Sequence, residues 1–144
     1  MENLYETDFY SWINQQTELF KQRRLDELDV ENLIEELESM GGSERHSLTS
    51  HIMQLLMHLL KWQYQPSRRS RSWQDSIINH RFQTQDTLSE NPGLKTPLPE
   101  LYDRAYKKAV ALAVKQTGLP KNTFPKECPW IYEQVMEDGW LPNK

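Results

Sequence analysis

Between Ser43 and Gln65 the apolar residues do not keep to one side of a helix. At about 100° per residue, Leu48, Ile52, Met53, Leu55, Leu56, Met57, Leu59, Leu60, Trp62 and Tyr64 cover well over half of the circumference. A helix patterned this way is surrounded by other elements, not laid on a surface. Pro66 ends it, because proline lacks a backbone N–H and disfavours helical geometry in the residue before it. The rest of the chain agrees with a helical protein. Strand-like alternation is absent, β-branched residues are sparse, and apolar spacings of three and four recur nearly throughout. The expected fold is all-α: a compact five- or six-helix bundle around a long central helix at about residues 43–65, in a single domain spanning 1–144.

The flanking helices follow from their punctuation. Thr7 can cap a first helix that runs to about Arg23, with Phe9, Trp12, Ile13 and Phe20 as its apolar positions. Asp29 caps a second, to about Met40, with Val30, Leu33, Ile34, Leu37 and Met40 on one face, and Gly41-Gly42 is expected to end it. Ser43 then opens the central helix. Ser72 with Asp75 resembles a capping box for a fourth helix reaching about Ser89. Thr96 before Pro97 suits the start of a fifth, whose inner face is Leu98, Leu101, Tyr102, Ala105, Ala109, Leu112 and Ala113, and Gly118-Leu119-Pro120 ends it. A proline-punctuated tail holds a short helix at roughly 129–137, closed by Gly139. Short connections between the first three helices favour antiparallel neighbours.

Charge and cysteine content narrow the function. With 17 basic and 21 acidic residues the net charge is -4, which argues against a broad electrostatic grip on nucleic acid while leaving room for a local basic patch. Cys128 is the one cysteine, so neither an intramolecular disulfide nor a cysteine-based zinc site can form. The first residues carry no basic segment followed by an apolar one, and the apolar runs are too short to cross a bilayer. A cytoplasmic protein without membrane contact is expected.

Three groups of residues could carry chemistry. The central helix keeps a narrow polar seam of Ser47, Ser50, His51, Gln54, His58, Lys61 and Gln65. His51 and His58 are seven residues apart, about 10.5 Å along the axis, too far to share one zinc ion. The seam reads as the solvent side of the helix, as a cleft in which His58 and Lys61 face a ligand, or as an interface. The second group is the acidic row Glu31, Glu35 and Glu38, with Glu36 on the other flank. It lacks the Glu-x-x-His pairing of di-metal bundle sites and reads first as a solvated or ion-pairing face. The third is Arg68-Arg69-Ser-Arg71-Ser-Trp73 together with Trp62 and Tyr64. Its vocabulary of guanidinium and aromatic groups suits phosphate contact and base stacking. It reads first as structural, with Arg69 and Arg71 pairing with acids of the second helix or the N-terminal segment. His80 reads as a packing residue and Cys128 as structural. There is no glycine-rich phosphate loop and no strained serine elbow. No catalytic residue, metal or cofactor is assigned.

Several segments resemble a known family. They are Leu4-Tyr-Glu-Thr-Asp-Phe-Tyr-Ser-Trp12, the run Leu28 to Gly41, Leu56-Met-His-Leu-Leu-Lys-Trp-Gln-Tyr-Gln-Pro66 with Arg69-Ser-Arg-Ser-Trp73, and the tail pieces Thr117-Gly-Leu-Pro120 and Phe124-Pro-Lys-Glu-Cys-Pro129. Over nearly its whole length the chain resembles domain-of-unknown-function family 29, small helical proteins mainly of cyanobacteria. The resemblance implies an all-helical fold and a bacterial cytosolic setting, and it supplies no catalytic residue. The first functional reading is therefore a non-enzymatic binding or regulatory module acting through a protein partner or self-association. The second is a nucleic-acid-associated protein using Arg68 to Trp73. The third is an enzyme or metal-binding protein with a cleft of Glu35, Glu38, His58 and Lys61. Candidate ligand or interface residues are His58, Lys61, Trp62, Gln65, Arg69, Arg71, Trp73, Glu35 and Glu38.

Overall fold

The computed structural model describes residues 3–142. Its regular elements are α1 (Leu4–Thr7), α2 (Phe9–Lys21), α3 (Val30–Tyr64), α4 (Arg71–Glu90), α5 (Leu98–Thr117) and α6 (Tyr132–Val135), joined in part by short 3₁₀ turns. No strand occurs among the described residues, so the all-α expectation holds.

The largest departure from the sequence reading lies at Gly41-Gly42. The expected break is absent, and α3 is one helix of 35 residues. A glycine stops a helix by adopting a left-handed conformation at the position after the cap. Among the glycines only Gly118 and Gly139 have positive φ. Gly41 and Gly42 therefore continue the helix at the usual glycine penalty of about 1 kcal/mol each. Other boundaries move less. A short α1 precedes α2, and Asp8, not Thr7, is the cap, accepting from Ser11 N at 3.1 Å. Ser70, not Ser72, caps α4, accepting from Trp73 N at 3.2 Å. Pro97 takes the cap position of α5, and the tail helix shrinks to the four residues of α6.

The chain divides into two compact units at Gly42 and Ser43. In the first, Trp12 is the buried hub. Tyr5 and Phe9 lie against it at ring separations of 4.7 and 5.6 Å, and its indole N–H donates to Asp29 Oδ2 at 3.0 Å. Gln16 Oε1 accepts from Asp29 N at 2.8 Å, tying α2 to the start of α3. α2 ends in a Schellman motif: Arg24 N reaches Leu19 O, Arg23 N reaches Phe20 O, and Arg23 itself takes φ 60° where glycine is usual.

In the second unit the sequence pattern of α3 is fulfilled. Leu48, Ile52, Leu55, Leu56, Leu59 and Leu60 are wholly buried. The same core takes in Ile77 and Leu88 of α4, Leu101 to Ala113 of α5, and Phe124, Trp130, Val135 and Met136 of the tail. Ala105, Ala109 and Ala113 recur every four residues along the buried side of α5; small side chains there allow close helix approach. The tail is anchored by Arg81, 5% exposed. Its guanidinium donates to Val135 O and Trp140 O, both at 2.8 Å, and Gln85 adds a bond to Met136 O at 3.1 Å.

Candidate functional site

The polar seam of α3 is half-buried along its length, not open to solvent. His51 and His58 are both half-buried, and α4 brings His80 to them. His51 Nδ1 and His80 Nδ1 lie 3.2 Å apart. One nitrogen must carry the proton and the other the lone pair. His58 stacks near His80 at a ring separation of 6.4 Å. A carbonyl oxygen only accepts, so the 2.8 Å contact of His58 Nδ1 with Gln54 O puts the proton on that nitrogen. His80, read from sequence as a packing residue, packs against two other histidines. No three His, Cys, Asp or Glu side chains among the described residues are arranged to hold a metal ion.

A carboxylate beside His58, as in the cleft reading of Glu35, Glu38, His58 and Lys61, would raise the pKa of the imidazole; the direction found is the opposite. Burial pushes the His58 pKa down, Lys61 pushes it further, and the Gln54 carbonyl opposes them only in part. His80 is lowered as well, first by burial and then by His51 and His58.

The next turn of α3 forms an interlock of cations and indoles. Lys61 Nζ donates to Gln116 Oε1 at 2.9 Å and sits 4.9 Å from the centre of the Trp73 ring. Its pKa is lowered by burial. The Arg69 guanidinium stands 4.9 Å from the centre of the Trp62 ring, and its Nε donates to Trp62 O at 2.8 Å. Sequence reading offered acids of the second helix or the N-terminal segment as partners of Arg69 and Arg71. Arg69 packs on Trp62, and Arg71, the first residue of α4, is exposed and outside the ion pairs of the described residues. Gln65 is half-buried and shapes the turn, its carbonyl accepting from Arg68 N at 3.0 Å. Trp62 Nε1 is buried without a hydrogen-bond partner.

Glu35 and Glu38 belong to a different surface. They are exposed in the first unit, beside a row of large apolar residues on the same helix. Val30 is 53% exposed, Ile34 50%, Leu37 66% and Met40 65%. Sequence reading placed these four on one face, and so they are, but that face is open. A core stripe and a docking stripe have the same spacing, so periodicity does not tell them apart.

Sequence reasoning missed another surface. From Arg104 to Lys126 the chain has six basic residues and no acidic one. The acid-free run was the available signal, hidden by the acidic total. Lys107, Lys121 and Lys126 from this stretch line one cavity of about 560 Å³. Cys128, two residues beyond Lys126, is half-buried with its thiol pKa raised by burial; Sγ lies 3.2 Å from Trp130 O and 3.4 Å from Tyr102 Oη. A thiol held protonated is a poor nucleophile, in keeping with its structural reading.

Fold and surfaces together define an all-helical protein with a helix-lined core in its second unit and an open apolar helix face in its first. The chain matches the family described as domain of unknown function DUF29 over residues 4–141, and it belongs to that family. No curated protein and no solved structure matches it. No helix among the described residues is long and apolar enough to cross a membrane.

Proposed function

We propose that this protein is a non-enzymatic binding module that docks a basic amphipathic helix of a partner protein on the outer face of α3. The observation that carries this reading is the row Val30, Ile34, Leu37 and Met40, each at least half exposed. Spacings of four, three and three residues keep the row on one side of the helix, as helix-in-groove recognition requires. Isolated exposed apolar side chains are ordinary, while a contiguous row on one face marks an interaction surface. Glu31, Glu35 and Glu38 run along one edge of it and set the charge of the partner. A second copy would bring the same acidic edge to the contact, so a basic partner fits better than self-association. The setting we assign is the bacterial cytoplasm, on the resemblance of the motifs to a mainly cyanobacterial family. Among the other candidate residues, Lys61, Trp62, Arg69 and Trp73 are engaged with one another or with the chain, which favours a structural role for the Arg68 to Trp73 segment over nucleic-acid contact.

The test is fluorescence anisotropy with a labelled amphipathic helical peptide of leucine and lysine. Leu37→Ser and Met40→Ser are expected to weaken binding about tenfold each, the scale of losing one buried aliphatic contact. Their thermal stability should stay within about 0.5 kcal/mol of the parent, as for other exposed positions. Unchanged binding in both variants would remove the reading. A homodimer in light scattering that dissolves on Leu37→Ser would replace it with self-association.

A further inference from the structure

The basic stretch that follows Asp103 is folded into one place. α5 contributes Lys107 and Val110, and the chain then turns back at Gly118, whose φ of 74° suits glycine. The 3₁₀ turn Lys121–Thr123 and the residues after it come alongside, adding Lys121, Phe124, Pro125 and Lys126 to the same cavity of about 560 Å³. No acidic residue lines it. None of the three lysines forms an ion pair among the described residues. This concentration of positive charge occurs in a chain whose acids outnumber its bases, 21 to 17.

We infer that this cavity binds a small organic anion, a carboxylate or phosphate carried on an apolar or aromatic body. Three like charges around one hollow raise the local potential for an anion. Val110, Phe124 and Pro125 supply apolar surface for the body of the ligand. The volume lies within the roughly 300–1,000 Å³ of small-molecule sites. Lysine offers a compact point charge without the fixed fork of arginine, so the site selects for charge and leaves the anion's geometry open. Nucleic acid fits less well, because a backbone needs a groove that tracks successive phosphates, not one hollow of this size. The site is independent of the α3 face, and either can fail without the other.

The probe is anilinonaphthalene sulfonate, an aromatic anion, titrated into the full chain and followed by fluorescence and by amide chemical shifts. Shifts are expected at Lys107, Val110 and residues 121–126. The variant Lys107→Gln/Lys121→Gln/Lys126→Gln should bind at least tenfold more weakly, and added salt should weaken the parent in the same direction. Leu37→Ser should bind like the parent. Neutral phenylnaphthylamine should bind much more weakly than the sulfonate. The inference is overturned if the shifts fall on residues 30–40, if the triple variant binds like the parent, or if the neutral dye binds equally well. A single-stranded oligonucleotide that displaces the dye and shifts the lysines beyond the cavity would replace the small anion with nucleic acid. All three positions are exposed, so the triple variant is expected to fold, and an unchanged circular dichroism spectrum checks this.

Discussion

Arg81 is 5% exposed and its guanidinium bridges two carbonyls of the tail. Nothing in its neighbours, His80 and Phe82, marks it as buried, since a lone arginine on a helix is usually solvated. Its two carbonyl partners lie 54 and 59 residues further on, so only the folded chain pairs them. Truncation would leave two carbonyls without their charged donor, and hydrogen bonds to charged groups contribute about 1.5–3 kcal/mol each. Arg81→Ala is expected to destabilise by about 3 kcal/mol or more in urea melts. Arg81→Lys should recover only part, because one ammonium does not reproduce a guanidinium bridging two carbonyls. Tyr102 and Tyr106 bond in the same way, to Trp130 O at 2.8 Å and Pro125 O at 2.6 Å. A tail with little secondary structure of its own is thus held by side chains reaching for its backbone.

At the scale of the element, α3 carries two adjacent glycines inside one helix of 35 residues. Two adjacent glycines followed by serine read locally as a stop and a restart, yet the helix runs through them. Glycine ends a helix only where the next turn of chain rewards the left-handed conformation; here both flanks hold good helix formers, Leu37 to Met40 and Glu44-Arg45. A Cβ added at Gly41 or Gly42 meets nothing within 4 Å. Gly41→Ala and Gly42→Ala are each expected to raise stability by about 0.5–1 kcal/mol, with helical circular dichroism unchanged or slightly increased. Loss of stability in both would mean that the pair serves as a break. By contrast the end of α5 was legible, because Gly118 does take the left-handed position there. The same residue type gave the right boundary in one helix and the wrong one in another.

For the whole molecule the histidine cluster sets a pH dependence. His58 and His80 both have folded pKa values below the unfolded value of about 6.5. In the window between the folded and unfolded values the unfolded chain binds more protons, so stability rises with pH there. The stabilisation is complete above about 6.5 and is lost as pH falls through that value toward the folded ones. The melting temperature is expected to fall between neutral and mildly acidic pH, and His58→Gln with His80→Gln to flatten that fall. A parent melting temperature that rises on acidification in this window would contradict the arrangement. This sign is opposite to the one that a carboxylate partner of His58 would give, and burial of the imidazole is its first cause.

The helical class, the wide apolar surface of residues 48–62, the cation-and-aromatic segment after them and the family can all be read from the chain before it folds. Each of these is written in local spacing or in a contiguous motif. Tertiary structure alone decided that the face of Val30 to Met40 stays open, that His80 joins His51 and His58, that Arg69 turns to Trp62, and that three lysines spread over 20 residues surround one cavity. Periodicity states which residues share a face, not what covers it. Pairings between residues far apart in sequence depend on where the chain turns back, as it does after Gly118.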